Sequence, residues 1–296
     1  MIAPKNKINE ENLMEIIVGK TAGFCFGVAN AVNKTQEQLK ANGETYCLGE
    51  LVHNKQVIKD LEDSGLICIE KIEDARKNVI IRAHGEKKET YDKAKKLGLD
   101  LIDLTCPKVI KIHKIAEEYV AKDYYIFLIG SKKHPEIIGT ISYCGDNSNI
   151  IENEEDIKIA LQDLYKSELK KVVVLAQTTF SLDKFNKIVD LILEELNNKN
   201  IELEIRKTIC DATRLRQEET RQMSSEVDMM IIIGGKHSSN TNKLYEIANK
   251  NCDNAILIEN HDELDLEEVK KYKKIGIMAG ASTPQKSINL LVEMLK

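Results

Sequence analysis

Tryptophan is absent from the 296 residues, proline occurs 4 times and aromatic residues make up 5%. Net charge is −5, with Lys and Arg scattered among acids. No basic stripe interleaved with aromatics is present, so the chain offers little to stack bases or track phosphates, and no nucleic-acid partner is expected. No apolar run approaches the roughly 20 residues of a membrane-spanning helix. The opening MIAPKNKINEEN carries no apolar core of the kind that marks export. No membrane association is expected, and a cytoplasmic location is. Two cofactor signatures are also missing. No G-x-G-x-x-G follows a strand. Gly19-Lys20-Thr21 ends like a phosphate loop, but Met14 stands where that loop needs its first glycine. No flavin or nicotinamide site is evident, so electrons for any reduction must come from another protein. The 7 cysteines include no C-x-x-C, which argues against the usual structural zinc site. An odd, dispersed set in a chain without an export signal does not read as a disulfide framework.

What is present is a globular composition, 42% apolar and 31% charged, on a length suited to two or three domains. Residues 1–13 are polar and read as an arm, with Met14 suited to be a second start. Beyond it the chain repeats. From Cys25 to Gly49, from Cys106 to Gly130 and from Cys210 to Gly234 the interval is 24 residues each time. Each cysteine follows an apolar or β-branched run and precedes a helical pattern. Each glycine ends a short apolar run: YCLG, YIFLIG and MMIIIG. Equal intervals of this kind indicate duplicated units.

Strand patterns alternate with helical ones, the signature of βαβ units and parallel sheets. MEIIVGK, TYCLGE, KNVIIRAHGE, YYIFLIG, KVVVLAQTT, MMIIIGG, AILIEN and KIGIMAG read as strands. SLDKFNKIVDLILEELNNK is an amphipathic helix with Ser181 as its cap. The expected architecture is three pseudo-threefold-related α/β domains with parallel sheets around a common centre: residues 14–105, 106–205 and 206–296.

Four residues past the repeated glycines stand His53, His134 and Ser238. The later strand of each unit ends in a polar group: Ala83-His84, Gln177-Thr178-Thr179 and Ala281-Ser282-Thr283. Such positions, at the carboxyl ends of parallel strands, are where α/β sheets place their sites. Three cysteines at one centre could ligate zinc or an iron–sulfur cluster, and thiolates favour the cluster. Clusters commonly take four cysteines, so three would leave one iron without a protein ligand. The alternative, small buried hydrophobes, is the reading for Cys47, Cys68, Cys144 and Cys252. Ser238-Ser239-Asn240 opens a helix whose free N–H groups could hold a phosphate, or it is simply a helix cap. His53, His84 and His134 lie on strand-end loops, as surface or capping residues, or jointly as a diphosphate site without fixed positive charge. Glu136 sits in the first turn of its helix, to suit the dipole or to donate a proton. His113 and His261 are assigned to solvated surface.

AGFCFGV, LGELVHN, RAHG, DLTCP, HPEIIGT, AQTT, ICDAT-x-x-RQ, GGKHSSNTNKL and AGASTP occur in this order. Together they resemble the 4-hydroxy-3-methylbut-2-enyl diphosphate reductases, over nearly the whole chain from Met14. The resemblance implies three α/β domains around a central [4Fe–4S] cluster with one open iron. It also implies reductive loss of an allylic hydroxyl, giving isopentenyl and dimethylallyl diphosphate, the last step of the non-mevalonate isoprenoid route. Carried over by motif, Cys25, Cys106 and Cys210 would be the cluster ligands. Glu136 would be the proton source and Thr178 its hydrogen-bonding neighbour. His53, His84, His134, Ser238, Ser239, Asn240 and Ser282 would contact the substrate. The implied partners are the allylic diphosphate and an external electron donor such as ferredoxin or flavodoxin. His237 departs from what often precedes SSN in that family and receives no role.

Two rival readings stay open on sequence. A hydro-lyase or condensing enzyme with a three-cysteine cluster would be similar in outline to quinolinate synthase, but a dicarboxylate favours Arg-rich contacts. A cluster-bearing sensor or electron carrier would not need HPE and SSN at one pocket.

Overall fold

The computed structural model describes residues 14–296; the polar arm expected at 1–13 lies outside the described residues. The first stretch runs β1 (Glu15–Val18), α1 (Phe26–Asn42), β2 (Thr45–Leu48), α2 (Lys55–Glu62), β3 (Leu66–Ile69), β4 (Asn78–Ile81), α3 (Lys88–Lys96) and β5 (Asp100–Asp103). The second runs α4 (Pro107–Val120), β6 (Tyr125–Ile129), α5 (Pro135–Thr140), β7 (Ser148–Ile151), α6 (Glu154–Lys166), β8 (Lys171–Ala176), α7 (Leu182–Leu196) and β9 (Glu202–Ile205). The third runs α8 (Asp211–Ser224), β10 (Met229–Ile233), α9 (Ser239–Asn251), β11 (Ala255–Ile258), α10 (Leu266–Val269), β12 (Lys274–Ala279) and α11 (Gln285–Leu295). None of these helices is long and apolar enough to cross a membrane.

The strands form three four-stranded sheets, ordered β3-β2-β4-β5, β7-β6-β8-β9 and β11-β10-β12-β1, with every pairing parallel. Parallel sheets covered on both faces need apolar side chains at every position, not at alternate ones. β6 (YIFLI) and β10 (MMIII) meet that need, buried throughout. Side chains then divide by parity. Phe127 and Ile129 pack with Ile157, Phe185 and Ile192 on one face of the second sheet. Ile126 and Leu128 pack with Ile112, Ala116 and Ile137 on the other. The other two sheets likewise have a core on each face.

The division expected from sequence places β1 in the first unit, whereas β1 pairs with β12 in the third sheet, Glu15 opposite Lys274 through Val18 opposite Ile277. The reason lies in the repeat itself. In every sheet one of the two outer strands is followed by a central cysteine: β5 by Cys106, β9 by Cys210, β1 by Cys25. β1, first of the described strands, holds in the third sheet the place that β5 and β9 hold in the other two, and so closes a ring of three. The backbone carries the same symmetry. Cys106 donates its N–H to Ala83 O at 3.0 Å, Cys210 to Thr178 O at 3.0 Å and Cys25 to Ala281 O at 3.1 Å. Gly49, Gly130 and Gly234 donate to Ile69, Ile151 and Ile258, each at 2.8–3.0 Å.

Candidate active site

The cysteine-bearing turns hold their sulfurs toward one centre because each is a helix cap whose side chain is not spent on capping. Cys25, Cys106 and Cys210 directly precede α1, α4 and α8, and none makes a side-chain cap hydrogen bond. The three line a single cavity of about 770 Å³ including its mouth. His53, His84, His134, Glu136, Thr178, Ser238, Ser239, Asn240 and Ser282 line the same cavity. The structure therefore gathers all the residues singled out from sequence, contributed by all three units.

Close approach of the units requires glycine. A Cβ on Gly27 would lie 2.7 Å from Cys106 Sγ, and one on Gly235 would lie 2.5 Å from His53 O. Ser282 Oγ reinforces the second contact by donating to His53 O at 3.1 Å.

Burial pushes the Cys106 thiol up, and Cys25 and Cys210 push it further. The N–H groups of Lys108 and Val109, at the start of α4, act the other way and favour the thiolate. Among the described residues, only His53, His84 and His134 bring three possible ligand atoms within 4.8 Å of one another; the sulfurs stand wider. A single tetrahedral zinc, with bonds of about 2.3 Å to sulfur, would draw its ligands closer than that. Three thiols spaced more widely around a cavity fit a polynuclear iron–sulfur group.

Opposite this set stand the imidazoles. His53 and His84 stack with ring centroids 4.5 Å apart, and His134 meets them edge-on at 5.8 and 5.4 Å. Burial lowers His53 against the opposing carboxylate of Glu50 at 3.7 Å, lowers His84 far below its usual range, and pushes His134 down to about 3, with neighbouring imidazoles and Arg82 adding to it. All three are therefore neutral near pH 7. His134 Nδ1 accepts the Glu136 N–H at 3.2 Å, so in the neutral ring the proton sits on Nε2. His84 Nδ1 is buried without a partner, as are both amide atoms of Asn240. Orphaned buried polar atoms of this kind mark a place for a ligand. Asn240 lies in the first turn of α9, whose cap Ser238 accepts the Thr241 N–H at 3.3 Å. Ser238 thus performs the capping that sequence left as an alternative, and Ser239 beside it still faces the cavity.

Glu136 is 1% exposed, and burial pushes its carboxyl up to about 7. Thr178 counters this in part. Its N–H donates to Oε1 at 2.6 Å, and its hydroxyl lies 2.5 Å from Oε2. Glu136 thus holds a proton near neutrality with both oxygens anchored on the polar end of β8, the arrangement of a poised acid.

Two arginines were given no role from sequence. Arg216 is buried in the cavity wall, donating to Gly23 O at 2.6 Å and to Ala212 O at 3.0 Å. Burial lowers it, while Cys25 and Cys210 hold its charge in place. It is the Arg of ICDAT-x-x-RQ, and the signal was the lone cation on the buried face of an otherwise uncharged stripe of α8. Arg82 lies behind the imidazoles, paired with Glu86 at 2.8 Å. His113, expected on solvated surface, is instead buried. It belongs to the core-facing stripe Val109, Ile112, His113, Ala116 of α4 and stacks on Tyr143 with centroids 4.0 Å apart. Burial pushes it down to about 4. His261 is partly exposed beside Asp262, at 3.4 Å. Cys47, Cys144 and Cys252 are buried and free as expected, while Cys68 is only half-buried.

The family model described as LytB protein matches residues 16–296. A 4-hydroxy-3-methylbut-2-enyl diphosphate reductase of Caldanaerobacter subterraneus is 42% identical over 290 residues, 96% of this chain and 97% of its own length. The enzyme of the same name from Clostridioides difficile is 40% identical over 96% of this chain and 99% of its own. Among solved structures, the E-1-hydroxy-2-methyl-but-2-enyl-4-diphosphate reductase of Plasmodium falciparum superimposes with a TM-score of 0.86. It is 32% identical over 96% of this chain and 88% of its own. The structure of an (E)-4-hydroxy-3-methyl-but-2-enyl diphosphate reductase, described as the terminal enzyme of the non-mevalonate pathway, gives 0.69. It is 38% identical over 95% of this chain and 98% of its own.

Proposed function

The chain belongs to the LytB family, and from that premise we propose that it reduces 4-hydroxy-3-methylbut-2-enyl diphosphate. The products are isopentenyl and dimethylallyl diphosphate, with water released. One observation carries the reading: three cysteine caps, three clustered imidazoles and a buried carboxyl line the same cavity.

Cys25, Cys106 and Cys210 would hold a [4Fe–4S] cluster, which when bound supplies Lewis acidity and electrons one at a time. The remaining chemistry belongs to the protein's own groups. His53, His84 and His134 present N–H donors without fixed charge, and Asn240 presents an amide with no protein partner. Ser239 and the start of α9 add N–H groups suited to a phosphate. Together they bind the diphosphate and fix the position of the alcohol. Arrival of that anion stabilises imidazolium, so the histidines can gain protons as the substrate binds. Glu136 delivers a proton from its carboxyl, and the Thr178 hydroxyl orients it. Arg216 balances negative charge on the cysteines from within the wall.

The electrons come from an external carrier, a ferredoxin or flavodoxin. We place the reaction in the cytoplasm, a reducing compartment that suits seven free cysteines. Anaerobic incubation with the allylic diphosphate and a strong chemical reductant tests the reading. Loss of the hydroxyl and appearance of the two isomeric products is expected. A preparation with full iron and sulfide that leaves the alcohol intact would reject the reductase reading and favour a sensor or carrier.

A further inference from the structure

We infer that the groove beside Cys210, rimmed by Lys108, Lys111, Arg206 and Lys207, docks an acidic one-electron carrier protein and passes its electrons in through Cys210. The inference rests on the reductase reading above and deepens it. The groove holds about 680 Å³ between α4 and the turn that links β9 to α8. Of the three central cysteines, only Cys210 lines both this groove and the central cavity. The groove is thus a surface opening whose wall shares a residue with the ligand set proposed above.

Its charge is opposite to that of the chain. The whole molecule carries −5, yet four cations stand here against one carboxylate in the wall, Asp211. Asp211 is engaged by Lys108 at 3.6 Å and by Arg214 at 4.0 Å. Arg206 is offset by Glu204 at 4.0 Å. Lys111 and Lys207 are exposed and make no ion pair among the described residues. A basic patch on an acidic protein steers an acidic partner and disfavours a symmetric contact of the patch with its own copy.

A small reductant would need no such surface; a protein carrier does. Each docking passes one electron, as when a flavodoxin hydroquinone becomes its semiquinone. Two dockings supply two electrons. With two protons these break the C–O bond and form a C–H bond, releasing water.

The test uses cluster-loaded protein under anaerobic conditions, with an acidic FMN flavodoxin as the probe and dithionite-reduced methyl viologen as the small donor. The Lys111→Glu/Lys207→Glu pair should raise the flavodoxin Kd about tenfold or more and flatten its salt dependence. The milder Lys111→Gln/Lys207→Gln pair should move both in the same direction by less. Iron content and the viologen-driven rate should match wild type in every variant. An unchanged flavodoxin Kd and rate across all variants, with viologen turnover intact, would overturn the docking inference and leave the reductase reading standing. An equal loss of the viologen rate would also overturn it, by moving those lysines from docking into the reaction. Failure of wild type with both donors would instead sink the reductase reading beneath it.

Discussion

Replacing Glu136 by Gln should cost activity and gain stability, with the gain confined to one side of a pH window. The carboxyl is buried, and its pKa rises from an ordinary 4.5 to about 7 in the folded protein. Below pH 4.5 the group is protonated in both folded and unfolded chains, so it has no differential effect. Between the two values the unfolded chain releases a proton that the folded one keeps, and each step in pH weakens the fold. Above pH 7 both forms are ionised and the full penalty, about 3 kcal/mol, stands. Glutamine has no proton to lose. It also fits the site, because its carbonyl accepts the Thr178 N–H and its amide donates to the Thr178 hydroxyl, replacing both existing contacts. Glu136→Gln should therefore match wild type at pH 5 and exceed it at pH 8 by up to about 3 kcal/mol. Denaturant unfolding of cluster-free protein at the two pH values measures the difference. Anaerobic turnover with methyl viologen should meanwhile fall by about 10²–10⁴. A stability difference that does not change with pH would show that the carboxyl is not a poised acid. A near-normal rate would move the proton source elsewhere.

Asn240→Ala should raise KM for the diphosphate by roughly ten- to a hundredfold, the value of hydrogen bonds to a charged group, with little change in the unfolding midpoint, since both amide atoms lack protein partners. Gly235→Ala forces a methyl to 2.5 Å from His53 O and should lower stability by about 1–3 kcal/mol, seen as a shifted denaturation midpoint. Cys106→Ser, purified without oxygen, should carry much less iron and sulfide than wild type; retention of both would remove Cys106 from the ligand set. In the free protein His134 should stay neutral from pH 5 to 8, because burial pushes it down to about 3. A ring titration near 6.5 by NMR would contradict the enclosed cavity.

The repeat was legible because it is written in one dimension. Equal spacing from cysteine to glycine needs no knowledge of contacts, and it locates the three turns and the three buried strands β2, β6 and β10. The polar ends of β4, β8 and β12 were legible for the same reason, as apolar runs that stop at His84, Thr178 and Ser282. What escaped was whatever only pairing reveals. β3 and β7 are four-residue edge strands, too short to show a period even though turn residues, Ser64-Gly65 and Gly145-Asp146-Asn147, precede them. The membership of β1 in the third sheet is a long-range fact, invisible to any local pattern. His113 was misplaced because a polar ring on an apolar stripe looks the same whether it ends in water or on Tyr143. Arg216 sat inside a motif, but its partners are the carbonyls of Gly23 and Ala212, which a side-chain alphabet does not show.

The misplaced strand explains why three units serve one site. Each cysteine takes its backbone position from the sheet that precedes it in the ring, through the N–H bonds to Ala83, Thr178 and Ala281. The polar side chains of a sheet's central strands sit on the same edge that fixes the next cysteine. Thr178 is the clearest case. Its carbonyl holds Cys210, while its amide and hydroxyl hold Glu136. A displacement of that one residue would move a thiol and the buried carboxyl together. His53 does the same between units, since its carbonyl receives Ser282 and abuts Gly235 while its ring faces the cavity. The cysteines, the imidazoles and the buried carboxyl are therefore not three independent sets resting on three scaffolds. They share backbone atoms, so the cavity keeps its shape only while the ring is closed, and β1, at the start of the chain, is the strand that closes it.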